Sequence, residues 1–268
     1  MMLSAQTLIG VAVAAGASMA AGGGVSTQWL MSDFDRGFYS YEQGSGAAVS
    51  LGMIPDSVVG IEFAGDGHLY GMTSVGNGNN FYRIDPTDGT SVLVGNTGLP
   101  QVIEGDLAWD ATGGLMYGSY STSDSNSLYT FDVATGLASY VGDMEEDDIS
   151  GMAFDQSGRL WAVDTNVNGS GVADLLEINK ANGGVLSRVS LGIVINGPLI
   201  GMDLNDATGE IFMAMDNGGF YSIDTDAGTA LQVDTHGVGT ATGLAYVPAP
   251  GSLFVLVGAG LVGSRRRR

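Results

Sequence analysis

The chain has 268 residues, of which 44 are glycine, two are histidine and none is cysteine; 14% are charged and the net charge is −20. That length suits one large β domain or two small ones, and the lack of cysteine excludes disulfides, thiolate nucleophiles and cysteine-ligated zinc. Four of the nine basic residues are the last four of the chain, leaving five cations against 29 acids, a balance that repels nucleic acid and anionic lipid and attracts cations.

The first element is an apolar run from Leu8 to about Ala17, followed by Ser18-Met19-Ala20, in which small residues flank a methionine. This order reads as a secretory signal over residues 1–21. After it, "QWLMSDFDRGFYSYEQGSGAAVSLG" supplies three apolar strands separated by turn residues.

Two patterns then alternate. The first is "VVGIEFAGDGHLYGM", "EGDLAWDATGGLMYG", "ISGMAFDQSGRLWAV" and "LIGMDLNDATGEIFMAM". The second is "NNFYRIDPTDGTSVLVG", "NSLYTFDVATGLASYVG", "ADLLEINKANGGVLSRVSLG" and "GGFYSIDTDAGTALQVD". Each is a hairpin of two short apolar strands about a turn of Asp, Asn and Gly, residues that accept left-handed backbone geometry. Tyr39, Tyr82, Tyr129, Leu176 and Tyr221 correspond, as do Glu42, Asp85, Asp132, Asn179 and Asp224, and the unit recurs about every 45 residues. Four antiparallel strands in that length make a β-propeller blade.

The first unit lacks a first strand, and the chain closes with an isolated one, "ATGLAYVP". Pairing the two completes a fifth blade and removes exposed edges. The expected fold is therefore all-β: a five-bladed propeller over residues 27–247, closed by its N- and C-terminal strands and flanked by apolar terminal helices. It resembles propeller domains of bacterial secreted proteins.

The loops entering first strands and those joining second to third strands share one face, and the tight hairpin turns take the other. The loop face is the expected place for binding, because variable loops on a rigid frame carry it. Within the repeat, Glu62 and Asp203 stand where other blades have Ala108, Ala153 and Ala245, and Asp106 stands where others have glycine. A carboxylate on an inner strand needs a channel or a partner, so these three are candidate channel acids. Five-bladed glycosidases use channel-facing carboxylates, which makes a polysaccharide-active glycoside hydrolase the enzymatic alternative; that likeness is of fold alone.

The acid run Glu145, Glu146, Asp147 and Asp148 is a candidate calcium site, since calcium takes oxygen ligands; it admits a calcium-dependent lectin or adhesin. Tyr120, Phe34 and Tyr39 are placed near the loop face, where they could stack on sugar rings, while Trp29, Trp109 and Trp161 recur at strand positions and are expected between blades. His68 and His236 lack partner motifs and are expected at the surface.

The last element combines Pro248, Pro250 and Gly251, an apolar stretch from Leu253 to Gly263, and Arg265, Arg266, Arg267 and Arg268. Pro-x-Pro, a short apolar helix and a terminal basic cluster resemble the PEP-CTERM sorting signal of bacterial exported proteins. The resemblance implies a sorting segment over residues 248–268, transient membrane insertion with the arginines on the cytoplasmic side, and processing by an exosortase-type protease. Export to the cell surface or extracellular matrix of a Gram-negative-type bacterium, alongside polysaccharide or surface proteins, follows from it. With no catalytic set in the chain, the expected role is non-enzymatic binding or structure.

Overall fold

The computed structural model describes residues 28–74, 78–100, 104–121, 126–146, 148–167, 169–195, 197 and 199–248. The signal segment, Asp147, Pro250, Gly251 and Arg265–Arg268 lie outside the described residues, as do both expected terminal helices. Among the described residues, no helix is long and apolar enough to cross a membrane.

The strands form five separate four-stranded antiparallel sheets. Blade one holds β1 (Gln28–Asp33), β2 (Gly37–Glu42) and β3 (Val49–Met53); blade two holds β4 (Val58–Phe63), β5 (Leu69–Thr73), β6 (Asn80–Ile84) and β7 (Ser91–Asn96). Blade three is β8 (Leu107–Asp110), β9 (Leu115–Ser121), β10 (Asn126–Phe131) and β11 (Ala138–Asp143). Blade four is β12 (Ile149–Phe154), β13 (Leu160–Asp164), β14 (Val172–Ile178) and β15 (Val185–Val194), and blade five is β16 (Ile200–Asn205), β17 (Glu210–Met215), β18 (Gly219–Asp224) and β19 (Thr229–Thr235).

The remaining strand, β20 (Ala241–Tyr246), returns to blade one and takes the axial position. It pairs with β1 in the register Trp29↔Tyr246, Leu30↔Ala245 and Met31↔Leu244, and Val247 N–H donates to the Gln28 carbonyl at 3.0 Å. The expected closure of the ring is thus present, with five blades.

Burial falls from axis to rim. Every residue of β12 and β20 is buried, whereas β19 is exposed or half-buried throughout. That gradient matches the sequence: first strands are mostly apolar, whereas fourth strands mix apolar residues with polar ones. The inner strands meet so closely that a side chain on Gly60, Gly201 or Gly243 would strike the backbone of Leu107, Leu244 or Ile61 respectively. At the rim, Gly52, Gly95 and Gly142 receive the turn carbonyls of Asp88, Thr135 and Asn182 from the next blade. The recurrent glycine ending each of these fourth strands is therefore a blade-to-blade contact.

Large side chains fill the gaps between blades. Trp29 is fully buried and lies 5.1 Å from Tyr246, 5.2 Å from Phe212 and 5.5 Å from Phe220, joining blades one and five. Trp161 packs in the cluster between blades four and five. His236 departs from expectation: it is 1% exposed, not at the surface. Its Nδ1 accepts from Val238 N–H, which leaves Nε2 to donate to the Gly219 carbonyl at 3.1 Å. Burial lowers its pKa to about 4, so it is a neutral structural bridge. His68 is exposed, as expected.

Candidate binding cavity at the axis

Asp106, Glu62 and Asp203 all point at the propeller axis, at two levels. Asp106 sits at the level of Gly60, Gly151, Gly201 and Gly243 and is fully buried. Its Oδ1 accepts from Leu107 N–H at 2.9 Å, and its Oδ2 accepts from Met202 N–H at 2.9 Å and Met152 N–H at 3.1 Å. One carboxyl therefore joins the inner strands of blades three, four and five. Burial raises its pKa well above the usual range, against the pull of these backbone donors. Asp106 is a plug of the ring and faces no solvent.

Two residues further along their strands lie Glu62 and Asp203, 6% and 8% exposed. Asp203 accepts from Leu204 N–H and Tyr246 N–H, each at 2.6 Å, and Glu62 is its neighbour on the cavity floor. Burial pushes the Glu62 carboxyl far up, and the neighbouring Asp203 and Asp106 push it further. Asp203 is raised to about 7, again mainly by burial, while the Tyr246 and Leu204 donors hold it down. Two neighbouring buried carboxyls do not both ionise readily, so the pair retains a proton where a lone exposed acid would have lost it.

Above the pair a cavity of about 560 Å³ opens. Its walls include Phe63, Trp109, Phe154 and Tyr246, and its rim includes Thr112, Gln156, Asp206 and Pro248. Asp110 and Asp155 also line it, but both are engaged. Asp110 takes Lys180 Nζ at 2.6 Å; burial pushes its pKa up, but Lys180 and the Gly113 and Thr112 amides outweigh this and hold it below the usual range. Asp155 takes Ser157 Oγ at 2.7 Å, Arg159 Nε at 2.6 Å and Trp161 Nε1 at 3.1 Å, which together overcome burial and hold it at about 2. The lining residues include no histidine, serine, lysine or cysteine.

The cavity opens on the face of the tight turns, since its rim is built from the β4–β5, β8–β9, β12–β13 and β16–β17 connections. The sequence pointed to the opposite, loop-bearing face. Short turns leave the axial mouth uncovered, which a count of variable loops does not reveal. The three aromatic residues proposed for stacking on sugars do not converge. Tyr120 is 5% exposed and packs edge-on to Tyr129 at 5.7 Å; Tyr39 donates to Asp33 at 2.6 Å; only Phe34 is exposed. Trp109, expected to pack between blades, is a half-buried wall of the cavity as well.

Of the acidic run, Asp147 lies outside the described residues, and the other three differ in their surroundings. Glu145 is exposed with positive φ, Glu146 pairs with Arg188, and Asp148 is 2% exposed. Among the described residues, no group of three or more His, Cys, Asp or Glu side chains is arranged to hold a metal ion. Residue-by-residue reading also missed Glu104, which bonds Ser150 Oγ at 3.1 Å and is raised by burial to about 7. Its place two residues before Asp106 in an otherwise apolar strand entry was the available signal.

No protein-family model and no curated protein matches this chain. Solved structures do. A chain in the crystal structure of a nidogen/laminin complex matches with a TM-score of 0.54 at 12% identity, over 83% of this chain and 99% of that one. The PQQ-bound aldose sugar dehydrogenase from Streptomyces coelicolor matches with a TM-score of 0.50 at 13% identity, over 84% of this chain and 86% of that one. At such identities the likeness is of fold alone, and its bearers differ in function.

Proposed function

We propose that this chain is an exported, non-enzymatic β-propeller with a binding role, and that the axial cavity is its ligand site. The observation that carries the binding reading is the cavity itself: about 560 Å³, walled by aromatic rings, floored by two buried acids and with no histidine, serine, lysine or cysteine among its lining residues. Small-molecule sites are of this size and makeup. The ends of the sequence support export: an N-terminal signal-like run, and the Pro248-to-Arg268 pattern that resembles a PEP-CTERM signal. The pattern begins directly after the strand that closes the ring, so an exosortase-type cut near it would release an intact propeller. On this reading the protein acts at the cell surface or in the extracellular matrix of a Gram-negative-type bacterium, among polysaccharides and surface proteins.

A glycoside hydrolase is the second reading, since Glu62, Asp106 and Asp203 all approach the axis. Against it stands the engagement of the acids: Asp106 is taken up by three backbone amides and Asp203 by two, whereas glycoside hydrolysis needs two carboxyls free to work on the sugar. A calcium-dependent adhesin draws only on the acidic run and is the weaker reading. The test is twofold. Mass spectrometry of the secreted protein should show loss of the residues after about Pro250. Purified protein should leave a polysaccharide panel uncut with or without calcium. Turnover that Glu62→Gln or Asp203→Asn abolishes would overturn the non-enzymatic reading.

A further inference from the structure

We propose that the axial cavity takes a small organic cation, a primary ammonium carrying a ring or short apolar chain. The ammonium binds at Glu62 and Asp203, and the carbon skeleton lies against Trp109, Phe154 and Tyr246. This rests on the binding reading above and names the ligand's chemistry.

The argument begins from which acids are already answered. Asp110 and Asp155 have Lys180 and Arg159 as counter-ions. Among the described residues Glu62, Asp203 and Asp206 form no ion pair, and the charges that act on Glu62 are all acids: Asp203, Asp106 and Asp206. With one proton held by the pair, one negative charge remains on the floor with no counter-cation, in a concave site with low-dielectric walls, which raises the local concentration of cations. An anionic ligand is disfavoured by the same field. A bare metal ion fits poorly, because a hard cation needs six or more oxygen ligands and these walls are largely hydrocarbon. Aromatic faces attract an ammonium and also bury the skeleton that carries it. The protein uses the same contact internally: Lys180 Nζ lies 5.3 Å from the Phe154 ring centre and Arg159 lies 5.0 Å from that of Trp161.

The groups facing the pair set its pH response. They are Asp106 immediately before β8, Asp110 with Lys180, Asp155 with Arg159, Asp206 from the β16–β17 turn and Tyr246 from β20. Of the lining acids, Glu62, Asp203 and Asp206 have a raised affinity for protons, all through burial, and the first two form the floor. A cation arriving there competes with the shared proton, so binding expels it.

Isothermal titration of the full chain with benzylamine, and with benzyl alcohol as its uncharged counterpart, tests this. Benzylamine should bind at least about tenfold more tightly than benzyl alcohol at pH 8, and its affinity should fall by about tenfold or more at pH 5.5. Titrations in buffers of different ionisation enthalpy should register proton release. The Glu62→Gln/Asp203→Asn double variant should lose the preference for the amine, while Trp109→Ala should weaken both compounds alike. If the double variant does not fold, Asp206→Asn and the pH profile of the unaltered protein carry the test. Equal affinity for the two compounds, or amine binding insensitive to pH and to these acids, overturns the cation assignment and leaves the binding reading standing. Absence of binding by both compounds overturns the cation assignment too. If glycans and other small molecules also fail to bind, the binding reading falls with it.

Discussion

Asp106 shows how much one side chain can hold. It satisfies three buried backbone donors on three blades. Asp106→Ala leaves all three unpaired at roughly 1–3 kcal/mol each. We expect a loss of about 3 kcal/mol or more, read as a fall in melting temperature of about 6–12 °C. Asp106→Asn should lose about half as much, because its amide nitrogen would face one of the donors. The Glu62–Asp203 pair has the opposite sense. The folded protein keeps a proton on Asp203 to about pH 7, whereas the unfolded chain releases it near the ordinary value of 3.8. Folding therefore takes up a proton between those limits, and stability falls as pH rises through them, levelling off above about 7. Thermal melts at several pH values should show Glu62→Gln/Asp203→Asn gaining on the unaltered protein as pH rises from 4 to 7. Asp155 works the other way: held at about 2, it supports the fold above pH 4 and loses that contribution as pH falls toward 2.

Between elements, the decisive contacts are those between blades. Fourth strands of blades one, two and three offer glycine to the incoming turn of the next blade. Blade five has Asp234 there instead, and it accepts from Tyr41 Oη at 2.5 Å and Gly44 N–H at 2.6 Å across the closing joint. Asp234→Ala should cost about 1 kcal/mol, or about 2–4 °C, since the site is partly solvated. Gly201→Ala is the harsher change. Its methyl would strike the Gly243–Leu244 backbone, which has no room to yield inside the ring. A loss of about 3 kcal/mol is expected from overpacking, measured by denaturant melt.

At the scale of the whole molecule, closure is the controlling fact. Without β20, blade one loses its axial strand and β1 presents an open edge beside the exposed aromatic cluster of Trp29, Phe212 and Phe220. A chain ending before Ala241 should aggregate or run as oligomers in size-exclusion chromatography, with Trp29 fluorescence shifted to the red. Supplying residues 241–248 as a separate peptide should restore a monomer if strand pairing is the cause.

Blade number, strand order and the joint between the two ends were legible in the amino-acid sequence, because they depend on local periodicity: Asp/Gly turns at a steady interval, apolar inner strands, a unit short of its first strand at one end and a lone first strand at the other. The odd residues of the inner strands were legible too, since Glu62, Asp106 and Asp203 break an otherwise apolar register. What each does was not. Whether an inward acid meets a backbone donor, another acid or open space depends on strands 43 to 141 residues away, as the separation of Asp203 from Tyr246 and of Glu62 from Asp203 shows. The same holds for His236, whose burial comes from packing against blade one rather than from its glycine-rich neighbours. The face on which the cavity opens was likewise decided by tertiary structure, because free space at an axis belongs to five blades at once and to no single segment.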